Sequence, residues 1–264
     1  MPDQAAIRLS IDGPVGRIVL NRPEARNAIN WAMVEAIPSA LSDFACDSRV
    51  RVIELTAEGP AFCAGGDLSL LEQLSGGDDH MAAEFVGRYR ALPSSLYDCP
   101  LPIVAGVAGP AVGAGCDLVL ACDLVIATPR ASFAEMFVDV GLAPDTGGSG
   151  LLPRHVGLMR AKALILTGQP IAAQVAHDWG LVHEVVSDLP KRLEHWTGML
   201  ASKSPAALRH AKRLLHRSWG LSHADVLEEE GQAVLELLRS EELISKLRPW
   251  RDVAGRTAGQ GKRR

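Results

Sequence analysis

The chain has 264 residues, 47% of them apolar and 22% charged, with a formal net charge of −4. That balance fits a soluble globular protein of one or two domains. It offers no charge basis for binding nucleic acid or an anionic membrane surface.

In chain order, MPDQAAIRLS lacks the basic and apolar zones of a secretory signal. IRLSID (7–12) and GRIVLN (16–21) predict two strands around the turn Gly13-Pro14. A helix should follow to about Cys46, capped by Asn27 or Asn30 and kinked or split at Pro38. VRVIELTA (50–57) predicts a buried strand, followed by a glycine-rich loop and the short helix DLSLLEQL. SGGDDH (75–80) has the composition of a mobile linker before a helix over 81–97. PIVAGVAG (102–109) and DLVIAT (123–128) predict strands, 158–168 and 172–180 predict helices ending at glycine, and LVHEVV (181–186) a short strand. From about Leu193 onward the pattern is helical. The alternation predicts an α/β core over 1–192 and a helical region over 193–264.

Other features narrow the classes. Cys46, Cys63, Cys99, Cys116 and Cys122 form no Cys-x-x-Cys pair and have no clustered histidines. Buried free thiols in a cytoplasmic protein without a metal site are expected. The longest uncharged run, from Cys99 to Cys116, carries Pro100, Pro102, Pro110 and several glycines, which favours strand and loop over a membrane helix. The terminal GKRR is too short for a binding arm.

Two glycine loops carry the chemistry. AFCAGGDL (61–68) and VGAGCDL (112–118) each follow a predicted strand. Neither contains GxxxxGK[ST], and Leu118 stands where a dinucleotide fingerprint needs its third glycine. Tight strand–helix packing without a ligand is one account of each loop. The other is that one backbone N–H from each converges on a single oxygen as an oxyanion hole, suited to a thioester enolate.

With these loops, NRPEARNAIN (21–30), AGPAVGAGCDLVLACDLVIAT (108–128), VGLAPDTGGSGLLPRHVG (140–157), LTGQPIAAQVAHDWGLVHEVV (166–186) and SKSPAALRHAK (202–212) resemble the enoyl-CoA hydratase/isomerase, or crotonase, superfamily over nearly the whole chain. The resemblance implies a spiral of ββα repeats with C-terminal helices that build trimers or pairs of trimers. It implies an acyl-CoA thioester substrate, with coenzyme A as part of that substrate and no separate cofactor. It assigns the oxyanion donors to the backbone N–H of Gly66 and Ala114. CoA-contacting segments fall on Arg26 to Ala28 and on Ala64, Asp67 and Leu68, although Asp67 is equally suited to cap a helix.

The family's two hydratase glutamates fall on Asp117 and Phe137, so the second acid is missing and Phe137 becomes part of the acyl pocket. Glu135 could compensate only if its strand were shifted or bulged; on a regular strand it shares a face with Phe137. Asp145, in GLAPD, resembles the aspartate of double-bond isomerases in the family, and VDVGLAPD is similar to the dienoyl-CoA isomerases. One carboxylate at 145 suffices to move a proton between C2 and C4 of a 3-enoyl thioester. The competing account of Asp145 is an N-cap for a helix starting near Thr146. Asp139 fits a structural or surface acid, and Asp123 one that starts a strand and bonds locally. Competing activities are hydration through Asp117, acyl-CoA binding with little turnover, and nucleophilic attack by Asp145 on an aromatic acyl group. A serine hydrolase is disfavoured, since Gly147-Gly148-Ser149-Gly150-Leu151 lacks the last glycine of GxSxG.

Overall fold

The computed structural model describes residues 5–75 and 79–247; the GKRR tail, all of MPDQ at the start and the centre of SGGDDH lie outside them. The chain divides into two compact units, one up to Ser202 and one from Lys203.

The first unit is built from β1 (Ile7–Asp12), β2 (Val15–Leu20), α1 (Trp31–Cys46), β3 (Val52–Ala57), α2 (Leu68–Ser75) and α3 (Asp79–Tyr97). It continues with β4 (Ile103–Val107), β5 (Ala111–Val112), α4 (Ala114–Leu120), β6 (Leu124–Ala127) and β7 (Ser132–Ala134). A 3-10 turn (Met136–Val140) precedes α5 (Gly148–Val156), α6 (Leu158–Thr167), β8 (Ile171–Ala172), α7 (Ala173–Trp179), β9 (Glu184–Val185) and α8 (Leu189–Ala201). The second unit holds α9 (Pro205–Arg217) and α10 (His223–Leu238).

Six strands form one sheet in the order β1-β2-β3-β4-β6-β9, and three form a second in the order β5-β7-β8. The β1–β2 hairpin is antiparallel, and every later pair of the large sheet is parallel. Parallel neighbours need crossovers, and the intervening helices supply them. Side chains alternate across β3 and β4. Val52 and Val104 join Ile126, Leu189 and Leu193 on one face, while Ile53, Leu55, Ile103 and Ala105 enter the main core on the other. α8 covers the first face and approaches closely because Gly106 carries no side chain: a Cβ there would lie 2.6 Å from Leu193 Cδ1.

Several local outcomes differ from the sequence expectation. Pro38 neither splits α1 nor ends it, since Met33, Ile37, Leu41 and Phe44 at helical spacing anchor one buried face on both sides of the proline. Of the two candidate caps, Asn30 takes the role, its side chain accepting from Met33 N–H at 3.1 Å. Asn27 instead sits at φ 57, fully buried, and its amide donates to the carbonyls of Glu58 and Ala61. The helix expected from about Leu193 starts at Leu189, because Asp188 caps it through Lys191 N–H. Cys63, Cys99, Cys116 and Cys122 are buried and outside any disulfide, but Cys46 is exposed at the end of α1. Asp123 sits just ahead of β6, but its carboxylate bonds across the sheet rather than locally, accepting from Ile103 N–H at 2.7 Å. Asp139 is a surface acid on the 3-10 turn.

In the second unit, Ser204 caps α9 and a Ser222–Asp225 capping box opens α10. Leu215, Leu227, Leu235, Leu238 and Ile244 are exposed there. Among the described residues no helix is long and apolar enough to cross a membrane, and no group of His, Cys, Asp or Glu could hold a metal ion.

Candidate active site

The site is a largely apolar cavity of about 470 Å³ in the first unit. Three segments meet there. The loop 64–67 after β3 is pinned to the segment 26–29: Ala64 N–H donates to Arg26 O, Ile29 N–H to Gly65 O, and Asp67 N–H to Ile29 O. The loop 112–116 is pinned by Val112 N–H to Cys63 O and Gly113 N–H to Ala134 O. Gly65 lets the two loops touch: at φ 96 a Cβ would fall 2.9 Å from Val112 O. The third wall is the 3-10 turn, which contributes Met136, Phe137 and Val140.

These pairings use the neighbouring amides of Asp67 and Gly113 and leave those of Gly66 and Ala114 alone. Among the described residues neither N–H has a hydrogen-bond partner, and both residues line the cavity. Two preorganised donors in a site shielded from water can stabilise charge on one oxygen.

Arg26, Ala28, Ala64 and Leu68 also line the cavity, with Arg26 and Leu68 exposed. Asp67 does not. Its carboxylate accepts from Ser69 N–H and Oγ at the start of α2 and from Arg22 at 3.1 Å. Burial works against its charge, but these hydrogen bonds hold its carboxyl below the usual range. Phe137 lines the cavity with its ring 3.7 Å from where a Cβ on Gly113 would lie.

The acids part company around Thr146. Asp145 lines the cavity and is half-buried; its Oδ1 has no hydrogen-bond partner. Burial raises its pKa. It also lines a second cavity of about 290 Å³, bordered by Ser94, Tyr97 and Gly150. It does not cap α5: the helix begins at Gly148, Gly147 is the N-cap at φ 104, and no side chain bonds the cap. That removes the capping account of Asp145.

Asp117, on α4, is fully buried and does not line the cavity. Thr146 Oγ1 donates to its Oδ2. Gly148 is required beside it, since a Cβ there would lie 2.2 Å from Oδ1. Glu135, also fully buried, is the residue that sequence reasoning undervalued. β7 ends at Ala134, and Glu135 turns at φ −104, ψ 66 into the 3-10 turn. Glu135 and Phe137 therefore do not share a strand face. Phe137 meets the cavity, and Glu135 goes behind it toward Asp117 and Cys116. Burial, then the Asp117 charge, push the Glu135 carboxyl well up; burial also raises Asp117. Both Glu135 oxygens and Asp117 Oδ1 lack a conventional donor. A protonated Glu135 donating to an ionised Asp117 pairs one oxygen of each, since two carboxyls can share one proton where two anions would repel. The signal available in the sequence was an acid inside the apolar run FAEMF. Tyr89 and Phe85, four apart on α3, also line the cavity and were not singled out.

The comparisons agree with this architecture. The family model for enoyl-CoA hydratase/isomerase matches residues 10–245. A probable enoyl-CoA hydratase of Rhodobacter capsulatus is 39% identical over 222 residues, 82% of each chain. A trans-2-decenoyl-[acyl-carrier-protein] isomerase of Streptococcus mutans is 32% identical over 243 residues, 90% of each chain. The crystal structure of a putative enoyl-CoA hydratase/isomerase from Mycobacterium abscessus superimposes with a TM-score of 0.85 at 37% identity, covering 92% of this chain and 95% of that one. With its sheet order, paired glycine loops and this match over most of its length, the chain is an enzyme of the enoyl-CoA hydratase/isomerase family, within the crotonase superfamily.

Proposed function

We propose that this enzyme is an acyl-CoA double-bond isomerase with Asp145 as its proton shuttle. The carboxylate takes a proton from C2 of a 3-enoyl thioester, and the electron pair spreads to the thioester oxygen as a dienolate. The N–H groups of Gly66 and Ala114 hold that oxygen. The carboxylic acid then returns the proton to C4, leaving the double bond at C2–C3. Nothing is gained or lost overall, and coenzyme A takes part only as a portion of the substrate. Arg26, with Ala28, Ala64 and Leu68, borders the CoA end. Asp67 supports that edge through Arg22.

The observation that carries this reading is that Asp145 is the one acid lining the cavity with both free amides, among the described residues. Phe137, in place of a second acid, keeps water away from the reacting carbons. Burial moves Asp145 toward the pKa of a useful base.

Hydration is the second reading, favoured by the hydratase names of several relatives and by the second cavity that Asp145 borders with Ser94 and Thr146. A panel of 3-enoyl, 2-enoyl and 3,5-dienoyl-CoA followed by absorbance separates the two. Turnover of 3-enoyl-CoA with slow hydration of crotonyl-CoA is expected. Hydration with kcat above roughly 100 per second favours the hydratase. Tight binding of acetoacetyl-CoA without turnover indicates a thioester-binding protein, and a trapped covalent acyl-enzyme indicates nucleophilic attack.

We further propose that the exposed apolar positions Leu235, Leu238 and Ile244 pack between subunits of a trimer or a pair of trimers. A clean monomer by sedimentation at micromolar concentration contradicts this.

A further inference from the structure

The proton transfer above leaves one polar group of the cavity unused. Tyr89 projects from α3, is 3% exposed and lines the cavity together with Gly66 and Asp145. Its ring is locked: it stacks on Phe85 at 4.9 Å and 18° between planes, and Phe85 in turn meets Trp31 edge-on at 5.4 Å. Its hydroxyl has no hydrogen-bond partner. That oxygen lies 3.0 Å from where a Cβ on Gly66 would stand, so the missing side chain at 66 makes room for it. Burial and the surrounding acids, Asp145 among them, push the phenol's pKa up, so it stays a neutral donor.

A buried hydroxyl without a partner is costly, and more so once a ligand displaces any water beside it. Around it the cavity is apolar, with Phe85, Phe137, Val140 and Leu142 in its walls. A hydrocarbon acyl chain would leave the hydroxyl stranded. An oxygen on the acyl chain would satisfy it. Sites built to hydrogen-bond a ligand oxygen reject the analogue that lacks it, because their own polar group is then left unpaired.

We infer that Tyr89 is a specificity-determining residue: its hydroxyl donates to an oxygen carried on the acyl chain close to the thioester, so the site selects oxygen-bearing acyl thioesters over plain hydrocarbon ones. The inference rests on the acyl-thioester reading above and names the substrate class within it. The ring's packing orients the donor, and its place beside Gly66 sets the reach to the first few carbons.

The test is calorimetric binding of butanoyl-CoA, both enantiomers of 3-hydroxybutanoyl-CoA and 4-hydroxybutanoyl-CoA to the wild-type enzyme and to Tyr89→Phe. Phenylalanine keeps the stack on Phe85, and a melting curve checks the fold. At least one hydroxylated ligand should bind the wild type about 10- to 100-fold more tightly than butanoyl-CoA. In Tyr89→Phe that preference should collapse to within about 3-fold, the residual expected once the hydrogen bond is gone, while butanoyl-CoA binds as well or better. The inference is overturned by a wild type without preference, by a preference that survives in Tyr89→Phe, or by equal weakening of every ligand. Equal weakening would mark the phenol as a donor to the thioester oxygen that all four share. If neither these ligands nor acetoacetyl-CoA bind the wild type, the acyl-thioester reading itself falls and takes this inference with it. Binding without preference removes only the role of Tyr89.

Discussion

Asp145 and Asp117 are both withheld from open solvent, and both lie next to Thr146, one by sequence and one by hydrogen bond. On the proposed reading they serve different ends. Asp145 faces an apolar cavity with an oxygen that bonds nothing, in the segment between the 3-10 turn and α5. Asp117 is sealed behind that cavity, held by Thr146, walled by Gly148 and backed by Glu135. The difference teaches that desolvation alone does not mark a proton shuttle. Both carboxyls are raised by burial. On that reading, contact with the cavity distinguishes Asp145, the proposed shuttle, from Asp117, which Thr146 holds beside the start of α5.

The sealed side can be broken most sharply at Gly148. A Cβ there meets Asp117 Oδ1 at 2.2 Å, and the fully buried carboxylate has nowhere to swing. Gly148→Ala should cost about 2–3 kcal/mol in chemical denaturation. Asp117→Ala alone should cost about 1–3 kcal/mol, because Thr146 and Glu135 lose their acceptor. The double variant should be less destabilised than the sum, since removing the carboxylate makes room for the new methyl. Strict additivity would show that Gly148 and Asp117 do not oppose one another.

A smaller effect concerns Glu135. Burial and the Asp117 charge keep its proton on in the folded state well above the ordinary glutamate range. The unfolded chain releases that proton near about 4.3. The folded state thus binds the proton more tightly, so stability is fully present below the ordinary value and declines as pH rises toward the raised one. Glu135→Gln has no proton to lose. Its melting temperature should fall less between about pH 5 and pH 9 than that of the wild type, with little difference at the acid end. Parallel profiles would mean that Glu135 is ionised in the folded protein.

The parts of this arrangement legible in the sequence were those carried by local pattern. The strand–glycine–Asp-Leu segments announced two loops able to present backbone N–H groups. GLAPD singled out Asp145 from its apolar surroundings. What stayed hidden depends on where elements stop and what they face. Glu135 reads as a strand neighbour of Phe137 until β7 ends at Ala134 and turns the two apart. Asp145 ahead of Thr-Gly-Gly is a sound N-cap pattern, yet Gly147 at φ 104 takes that place. Tyr89 and Phe85 share a helix face by spacing, but only the packing of α3 against the loop 64–67 brings the phenol beside Gly66. Pro38 carried a breaker signal that the anchored face of α1 overrides.

The most direct test of the account compares 3-enoyl-CoA isomerisation by Asp145→Asn and Asp117→Asn. Both substitutions are nearly isosteric, and acetoacetyl-CoA binding to each should change little, because the proposed oxyanion donors are backbone groups. Asp145→Asn should lose about 10²–10⁴-fold in kcat, the contribution of a positioned general base, while Asp117→Asn stays within roughly 10-fold, the scale of a modest positioning loss. In the wild type, the rate should rise with pH through a value above the ordinary carboxylate range, since Asp145 must be ionised to accept the C2 proton. The opposite pattern, with Asp117→Asn inactive and Asp145→Asn nearly unimpaired, would contradict the assignment and move the proton transfer to the sealed pair.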